Sequence, residues 1–416
     1  MLHKFLALVC AVIFFANPAA WAQNLQATQN IVGSTAAGKQ ISTDAATPIR
    51  VAVTAPVSGT VSKPGPGTPG WEEICRPEIR AVRQVLPSDK KLAYYGRWDK
   101  KDAHAYRTDR GAAYLKFNFT GEYVAVHLQN TGAKIWWRSS IDGDAWQRFR
   151  GDLISPLTSK GKHTLVLERD TETAGGITSV TGITLAADGK LLPPPKPLHR
   201  RMEFVGDSIL AGAFALGTET FGYLLNESST QSFGPLTARK LGAEYSIIAT
   251  SGEGVVHNYR ESAKGRSNTH SSEDYARLLW GEPGSRVTGK GFQPQVVVLN
   301  PGANDFTGPV FPEPEVFKAG YRKLILQVRN QNPKAVILCL EPVPFQYHAR
   351  STPLIEQVVT ELQGQGDLKL RFIPVNTDES FLRPYDYADG EHPLLQGHAK
   401  LTHYLSKVVA GIMGWE

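Results

Sequence analysis

Between residues 92 and 185 short candidate strands recur, at 92–96, 112–119, 123–128, 134–139, 146–150, 163–168 and 178–185, and in several of them apolar and polar side chains alternate. A period of two places one face of each run on a core and the other toward solvent, as antiparallel strands do. Turn signals separate the runs, among them Thr120-Gly121, Asp142-Gly143 and Lys160-Gly161-Lys162. Short strands at such spacing, with no helical period between them, predict a β-sandwich of jelly-roll type rather than βαβ units.

After residue 200 the pattern changes. Continuous apolar, β-branched runs at 202–205, 245–249, 296–299, 335–340 and 370–374 alternate with helix-length segments at 233–241, 272–279, 315–329, 353–362 and 394–409. Strands that are apolar on both faces are buried on both. Their alternation with helices predicts an α/β/α domain built on a mostly parallel five-stranded sheet. Leu191-Leu192-Pro193-Pro194-Pro195 lies between the two patterns. Successive prolines neither donate to a ladder nor continue a helix, so a linker is expected there. Upstream, 23–48 is rich in Gln, Asn, Thr, Ser and Ala, 49–57 reads as one strand, and 63–70 is a Pro/Gly spacer. The expected organisation is a 1–22 leader, a flexible segment at 23–70, a sandwich at 71–190, a linker at 191–200 and the α/β/α domain at 201–416.

The leader reading rests on His3 and Lys4, an apolar run at 5–15, Pro18 and Ala20-Trp21-Ala22. A basic start, a short apolar core and a small-x-small site predict export with cleavage after Ala22. The run is short for a bilayer span, and no membrane insertion is expected once it is removed. Composition adds little: of 416 residues 41% are hydrophobic and 20% charged, which excludes disorder and fibrous structure. A net charge of +6 without a Lys/Arg stripe gives no support to nucleic-acid binding, and it suits an acidic polysaccharide without selecting one. Cys10 leaves with the leader, and Cys339 sits in an apolar run where a buried free thiol is expected. A bridge between Cys75 and Cys339 is not favoured, and no zinc-type spacing is present.

Functional groups of a parallel sheet collect beyond the C-terminal ends of its strands. Ser208, in Phe204-Val205-Gly206-Asp207-Ser208, stands there. Ile209 opens a predicted helix whose positive end favours negative charge developing at the serine. Alone, the tripeptide reads equally well as a helix cap. Gly252 follows the next strand, where a glycine lets a backbone N–H approach a reacting oxygen closely. Asn304, in Asn300-Pro301-Gly302-Ala303-Asn304-Asp305, offers a side-chain N–H, and Asp305 can cap or bind locally. In Asp389-Gly390-Glu391-His392-Pro393, His392 can serve as general base and then general acid, since an imidazole is the side chain suited to both near neutral pH. Asp389 can return to its other ring nitrogen. Glu391 is a rival carboxylate whose side chain diverges from its neighbour's. His398 and His403 lie within the last helix and are read as structural. A nucleophile, two oxyanion donors and an Asp/His pair are what acyl transfer at an ester requires.

The four blocks resemble those of the SGNH (GDSL-type) hydrolases: Gly206-Asp207-Ser208, Gly252, Gly302-Ala303-Asn304-Asp305 and Asp389 to His392, in that order. The finer resemblance, over residues 90–412, is to carbohydrate esterase family 2, whose members carry a β-sandwich before the SGNH domain. It also rests on Tyr95-Gly96-Arg97-Trp98, on Leu191 to Pro195 and on Ser251-Gly252-Glu253-Gly254-Val255-Val256-His257-Asn258-Tyr259. The resemblance implies a secreted esterase; a periplasmic or extracellular monomer is expected, and a serine and an imidazole suffice for acyl transfer without a cofactor. Its substrate would be an O-acetylated polysaccharide of xylan or glucomannan type, with a preference for O6. Ser208 is then the nucleophile, His392 the proton shuttle and Asp389 its acidic partner. Ser208 N–H, Gly252 N–H and Asn304 form the oxyanion hole. Two positions depart from the family: Pro301 where leucine is frequent, and Glu391 where an aromatic is. Phe306 and Trp280 are candidates for the ring that stacks on a sugar. The alternatives are another SGNH esterase, acting on short-chain esters or cell-surface acetyl sugars, and a non-catalytic carbohydrate-binding protein.

Overall fold

The computed structural model describes residues 82–415 apart from 158, 219–221, 262–268, 289–290, 344–347 and 376–380. The expected leader, the 23–70 segment with its strand at 49–57, Cys75 and the start of the expected sandwich lie outside the described residues. The chain forms two domains, an antiparallel sandwich followed by an α/β/α domain.

The sandwich strands are β1 (Val82–Val85), β2 (Ala93–Tyr95), β3 (Asp99–Asp102), β4 (Ala105–Thr108), β5 (Tyr114–Thr120) and β6 (Tyr123–Asn130). They continue with β7 (Trp137–Ile141), β8 (Gln147–Phe149), β9 (Leu153–Pro156), β10 (Lys162–Arg169), β11 (Thr178–Ala186) and β12 (Lys190–Leu191). One sheet runs β3-β4-β11-β6-β9 with β1 also on β11, and the second runs β12-β5-β10-β7-β8 with β2 on β5. Leu115, Phe117, Phe119, Val124, Val126, Trp137, Leu165, Leu167, Ile183 and Leu185 fill the space between them. A bulge between Val180 and Gly182 adds one residue to β11, so Val180 and Ile183 face the same core despite their odd spacing. Strands β3 and β4 escape the hydrophobic pattern. Asp99-Lys100-Lys101-Asp102 has no apolar alternation, and its place is held by the ladder and by Arg107 on Asp99 at 2.5 Å. The linker begins as sandwich, with Leu191 buried and the Leu192 N–H on Asn118 O at 2.8 Å.

The second domain is a parallel sheet of β13 (Arg200–Gly206), β14 (Ala243–Ala249), β15 (Val296–Leu299), β16 (Val336–Leu340) and β17 (Leu370–Ile373), in the order β14-β13-β15-β16-β17. Its helices are α1 (Ser208–Ala211), α2 (Tyr223–Asn226), α3 (Phe233–Lys240), α4 (Ser271–Tyr275), α5 (Pro314–Gln331), α6 (His348–Gly364) and α7 (Leu395–Met413). Phe233 of α3 with Leu401, Leu405 and Val409 of α7 covers one face, and Phe317, Leu324, Val328, Ile355 and Val358 of α5 and α6 cover the other. Cys339 is a buried free thiol, and burial pushes it up to about 12. Two helices differ from expectation. The 272–279 helix stops at Tyr275 because buried Arg97 and Arg110 of the sandwich take the carbonyls of Tyr275 and Arg277. Helix α6 starts at His348, so Pro353 stands inside it rather than at its head, at the cost of one ladder bond.

The outer face of the second sandwich sheet packs on the α/β domain. Tyr114 OH donates to Glu244 at 2.5 Å, Lys116 pairs with Glu244 at 2.8 Å, and Arg239 pairs with Glu168 at 3.1 Å. Ala112 and Tyr114 are buried in the same cluster as Phe204 and Phe233. A surface that a free sandwich would expose is here part of its neighbour's core.

Candidate active site

Each candidate residue follows a strand of the parallel sheet, so the fold delivers them to one edge. The chain leaves β13 at Gly206, where a Cβ would stand 3.0 Å from the Leu210 Cβ. Asp207 caps the turn by accepting the Ile209 N–H at 3.1 Å. Helix α1 is a single turn closed by Gly212 at φ 74°. Ser208 therefore sits on a tight elbow, and no long helix dipole stands behind it. His392 Nε2 lies 2.9 Å from Ser208 Oγ, and its Nδ1 lies 2.7 Å from Asp389 Oδ2. Asp389 Oδ1 accepts the N–H groups of Glu391 and His392 at 3.0 and 2.8 Å. With its acceptor on Nδ1, the ring carries its proton there and turns a lone pair on Nε2 toward the serine hydroxyl.

Electrostatics separates the carboxyls around this line. Burial raises Asp389, but the His392 hydrogen bond and charge and the two N–H donors outweigh it and hold it at about 2. Burial pushes Asp207 up to about 7 against the Ile209 N–H. His398 is buried beside the Phe233 ring and pushed down to about 3, so it is a neutral packing residue. His403 lies 3.4 Å from Lys240 on the surface.

The loop after β14 carries Gly252 at φ 81°, a conformation that favours glycine, and its N–H has no acceptor among the described residues. Asp305 pins this loop by accepting the N–H groups of Val255, Val256 and His257 at 2.9, 2.7 and 2.9 Å. Asn304 donates one N–H to Glu253 O at 2.9 Å and makes a longer contact of 3.4 Å to Asp207 Oδ2. The Asp207 contact is the longer of the two, and an incoming acceptor would take its place. Glu172 of the sandwich is buried and accepts the Ser251 N–H at 2.7 Å, and burial raises its carboxyl. Sequence reasoning missed Glu172. The only trace of it is the polar run Arg169-Asp170-Thr171-Glu172-Thr173 directly after a strand, which nothing local marks as buried.

The two aromatic candidates differ in exposure. Phe306 is buried 5.2 Å from Phe317, and the part-buried Trp280 spends its indole N–H on Glu253 at 2.7 Å. The exposed ring beside the site is Tyr259, whose Cβ lies 3.5 Å from where a side chain on Gly252 would start. Phe214 stands 5.2 Å from the His392 ring and 6.5 Å from Tyr223. Among the described residues no group of His, Cys, Asp and Glu is arranged to hold a metal, and no helix is long and apolar enough to cross a membrane.

Residues 94–195 match the family model for the carbohydrate esterase 2 N-terminal region, and 204–400 match that of the GDSL-like lipase/acylhydrolase family. An active-site mutant of a family two carbohydrate esterase from Clostridium thermocellum is 30% identical, with a TM-score of 0.68 over 78% of this chain and 99% of that one. The chain belongs to carbohydrate esterase family 2. Other members are consistent with that placement. A family two esterase from Cellvibrio japonicus superposes with a TM-score of 0.70 at 18% identity, covering 81% of this chain and 99% of the other, which shows the shared fold. The cellulase/esterase CelE of Acetivibrio thermocellus is 30% identical over 337 residues, 78% of this chain. An acetylxylan esterase / glucomannan deacetylase of Cellvibrio japonicus is 30% identical over 220 residues, half of this chain. The chain spans 40% of the length of the first and 59% of the second.

Proposed function

We propose that this family 2 member is an exported serine esterase that removes acetyl groups from polysaccharides of xylan or glucomannan type. The observation that carries the reading is the unbroken line from Asp389 through His392 to Ser208 Oγ, at 2.7 and 2.9 Å. His392 takes the serine proton as Oγ attacks the acetyl carbonyl, and Asp389 stabilises the imidazolium. The Ser208 N–H, the Gly252 N–H and the Asn304 N–H that now faces Asp207 receive the oxyanion. His392 then protonates the departing sugar oxygen, and water repeats the sequence to release acetate. Support for the sugar ester comes from the names of the relatives, two of them acetylxylan esterase / glucomannan deacetylase. Tyr259 supplies an exposed ring for the sugar, and an O6 acetyl is the position expected to reach Ser208.

Ser208→Ala tests the reading. It should lower p-nitrophenyl acetate turnover by at least roughly 10³-fold while the fold is retained. Near-normal turnover would falsify it. Acetate release from acetylated xylan, glucomannan and peptidoglycan, measured side by side, then ranks the polymers.

A further inference from the structure

Strands β7 and β8 form the free edge of the second sandwich sheet, where the contact with the α/β domain narrows to Arg138 on Thr230 and Arg148 on Glu227 O at 2.8 Å. Their register sets Trp137 opposite Phe149 and Arg138 opposite Arg148. Trp137 and Phe149 face the sandwich core, so the alternate positions, Trp136, Arg138, Trp146, Arg148 and Arg150, share the outer face. Two guanidinium groups directly across a strand pair repel and would ordinarily be selected against. Here they are built in. Arg148 and Arg150 lie 4.3 and 4.7 Å from the Trp136 ring centroid, and Arg138 lies 5.2 Å from that of Trp146.

The acids on this face are already engaged. Asp170 is buried and binds Arg148 at 2.6 Å together with the Ser228 and Thr230 hydroxyls, both at 2.6 Å. Glu168, opposite Arg138, is buried and held by Arg239 at 3.1 Å and by Tyr245 at 2.5 Å. That leaves a surplus of positive charge. Arg138 spends one N–H on the Thr230 hydroxyl at 3.1 Å, while Arg150 and Lys134 are exposed and have no carboxylate partner among the described residues. The charge also leads toward the reacting centre. The Lys134 ammonium lies 3.8 Å from where a side chain on Gly222 would start, next to Tyr223, which is followed by Phe214 and then His392.

We infer that this arginine and lysine surface binds the carboxylates of an acidic, acetylated polysaccharide whose esters are cleaved at Ser208, an inference that rests on the esterase reading above. A chain with an acetylated sugar at Ser208 runs out over Phe214 and Tyr223 and meets Lys134, Arg150 and Arg138. Guanidinium groups pair with carboxylates through two parallel N–H donors, and an indole behind them fixes their plane before the ligand arrives. The indoles are covered by arginine, so the surface offers charge and donors rather than a bare ring for stacking. Uronic-acid units alongside the acetylated sugars fit that chemistry, and a neutral glycan leaves the surplus charge unused.

The test separates binding from catalysis. Titration calorimetry on the full chain would use de-acetylated glucuronoxylan and neutral glucomannan as probes, with wild type, Lys134→Ala/Arg150→Ala and Arg150→Glu. All of these positions are exposed and lie outside the catalytic machinery. We expect the double variant to weaken glucuronoxylan binding about tenfold and the charge reversal to weaken it further, with neutral glucomannan unchanged. Raising the salt should reduce wild-type affinity for the acidic polymer alone. With acetylated glucuronoxylan as substrate, KM should rise in the variants while p-nitrophenyl acetate turnover stays at the wild-type level. Equal losses on both polymers, or salt-independent binding of the acidic one, overturn the inference. Loss of the esterase reading shows instead as a wild-type chain that turns over no ester, and the calorimetric comparison still decides the binding question.

Discussion

Asp389 and Asp207 lie on either side of Ser208, and their surroundings push them in opposite directions. At about 2, Asp389 remains ionised across the working range of an esterase and can hold the imidazolium throughout. Asp389→Asn would present an N–H to Nδ1, move the ring proton to Nε2 and aim it at the serine. The expected loss is roughly 10²- to 10⁴-fold in kcat with KM little changed, read by steady-state kinetics. A variant within twofold of wild type would show that the backbone N–H donors at 391 and 392 are what matter at this position. Asp207 belongs to a different test. Its folded value of about 7 stands above the usual 3.8, so between those values the folded chain keeps a proton that the unfolded chain has released. Stability must then fall as pH rises through that window, with the penalty complete above 7. Asp207→Asn keeps the cap and removes the titration. Denaturant melts should show wild type losing ground to the variant from pH 4 to pH 8, by on the order of a few kcal/mol. A difference that stays flat with pH means that Asp207 does not titrate there.

At the scale of elements, the loop after β14 depends on a carboxylate that arrives from the loop after β15. Three N–H groups converge on Asp305, and none has a second partner nearby. Asp305→Ala would leave them unpaired in a buried place, which costs about 1–3 kcal/mol for each group left without solvent. It would also release the turn that sets the direction of the Gly252 N–H. A lower Tm together with a kcat loss of about tenfold or more is expected, and full activity at a lower Tm would assign Asp305 to the fold alone. Asp305 also marks how much could be read from sequence. The core strands and the order of Gly206-Asp207-Ser208, Gly252, Asn304 and His392 were legible because burial writes itself as apolar runs, with the polar blocks directly after them. Strand β3 was not, because Asp99-Lys100-Lys101-Asp102 is held by a ladder and an ion pair rather than by burial of alternate positions. The early end of α4 was not either, because what stops it is a pair of arginines more than a hundred and fifty residues upstream. Tyr259 was in view as part of a motif, but only its position against Gly252 shows that it is the exposed ring.

At the scale of the whole molecule, the sandwich is built into the site on the other domain. Glu172 leaves β10 through a buried polar run and takes the Ser251 N–H at 2.7 Å, one residue before Gly252. Next to it the Thr173 and Thr250 hydroxyls meet at 3.0 Å, so the same two loops are joined twice. Glu227 adds a second raised carboxyl: burial pushes it well above its ordinary range, the neighbouring Glu172 pushes it further, and it accepts the Glu172 N–H at 3.1 Å. A charge on both would be costly so far from water, so the pair holds the loop as hydrogen-bonding groups more than as ions. Glu172→Gln keeps an acceptor for Ser251 and should therefore keep most of the activity. Glu172→Ala removes it and leaves the N–H beside Gly252 free to turn. The expected result for the alanine variant on p-nitrophenyl acetate is a kcat loss of about tenfold, or about 1.4 kcal/mol in the barrier, with KM nearly constant. Such a split places the effect at the reacting centre, which Glu172 reaches through Ser251, through Tyr223 and through its charge interaction with His392. If the alanine variant instead matches wild type in kcat and loses only Tm, the sandwich braces the fold without setting the geometry of the reaction.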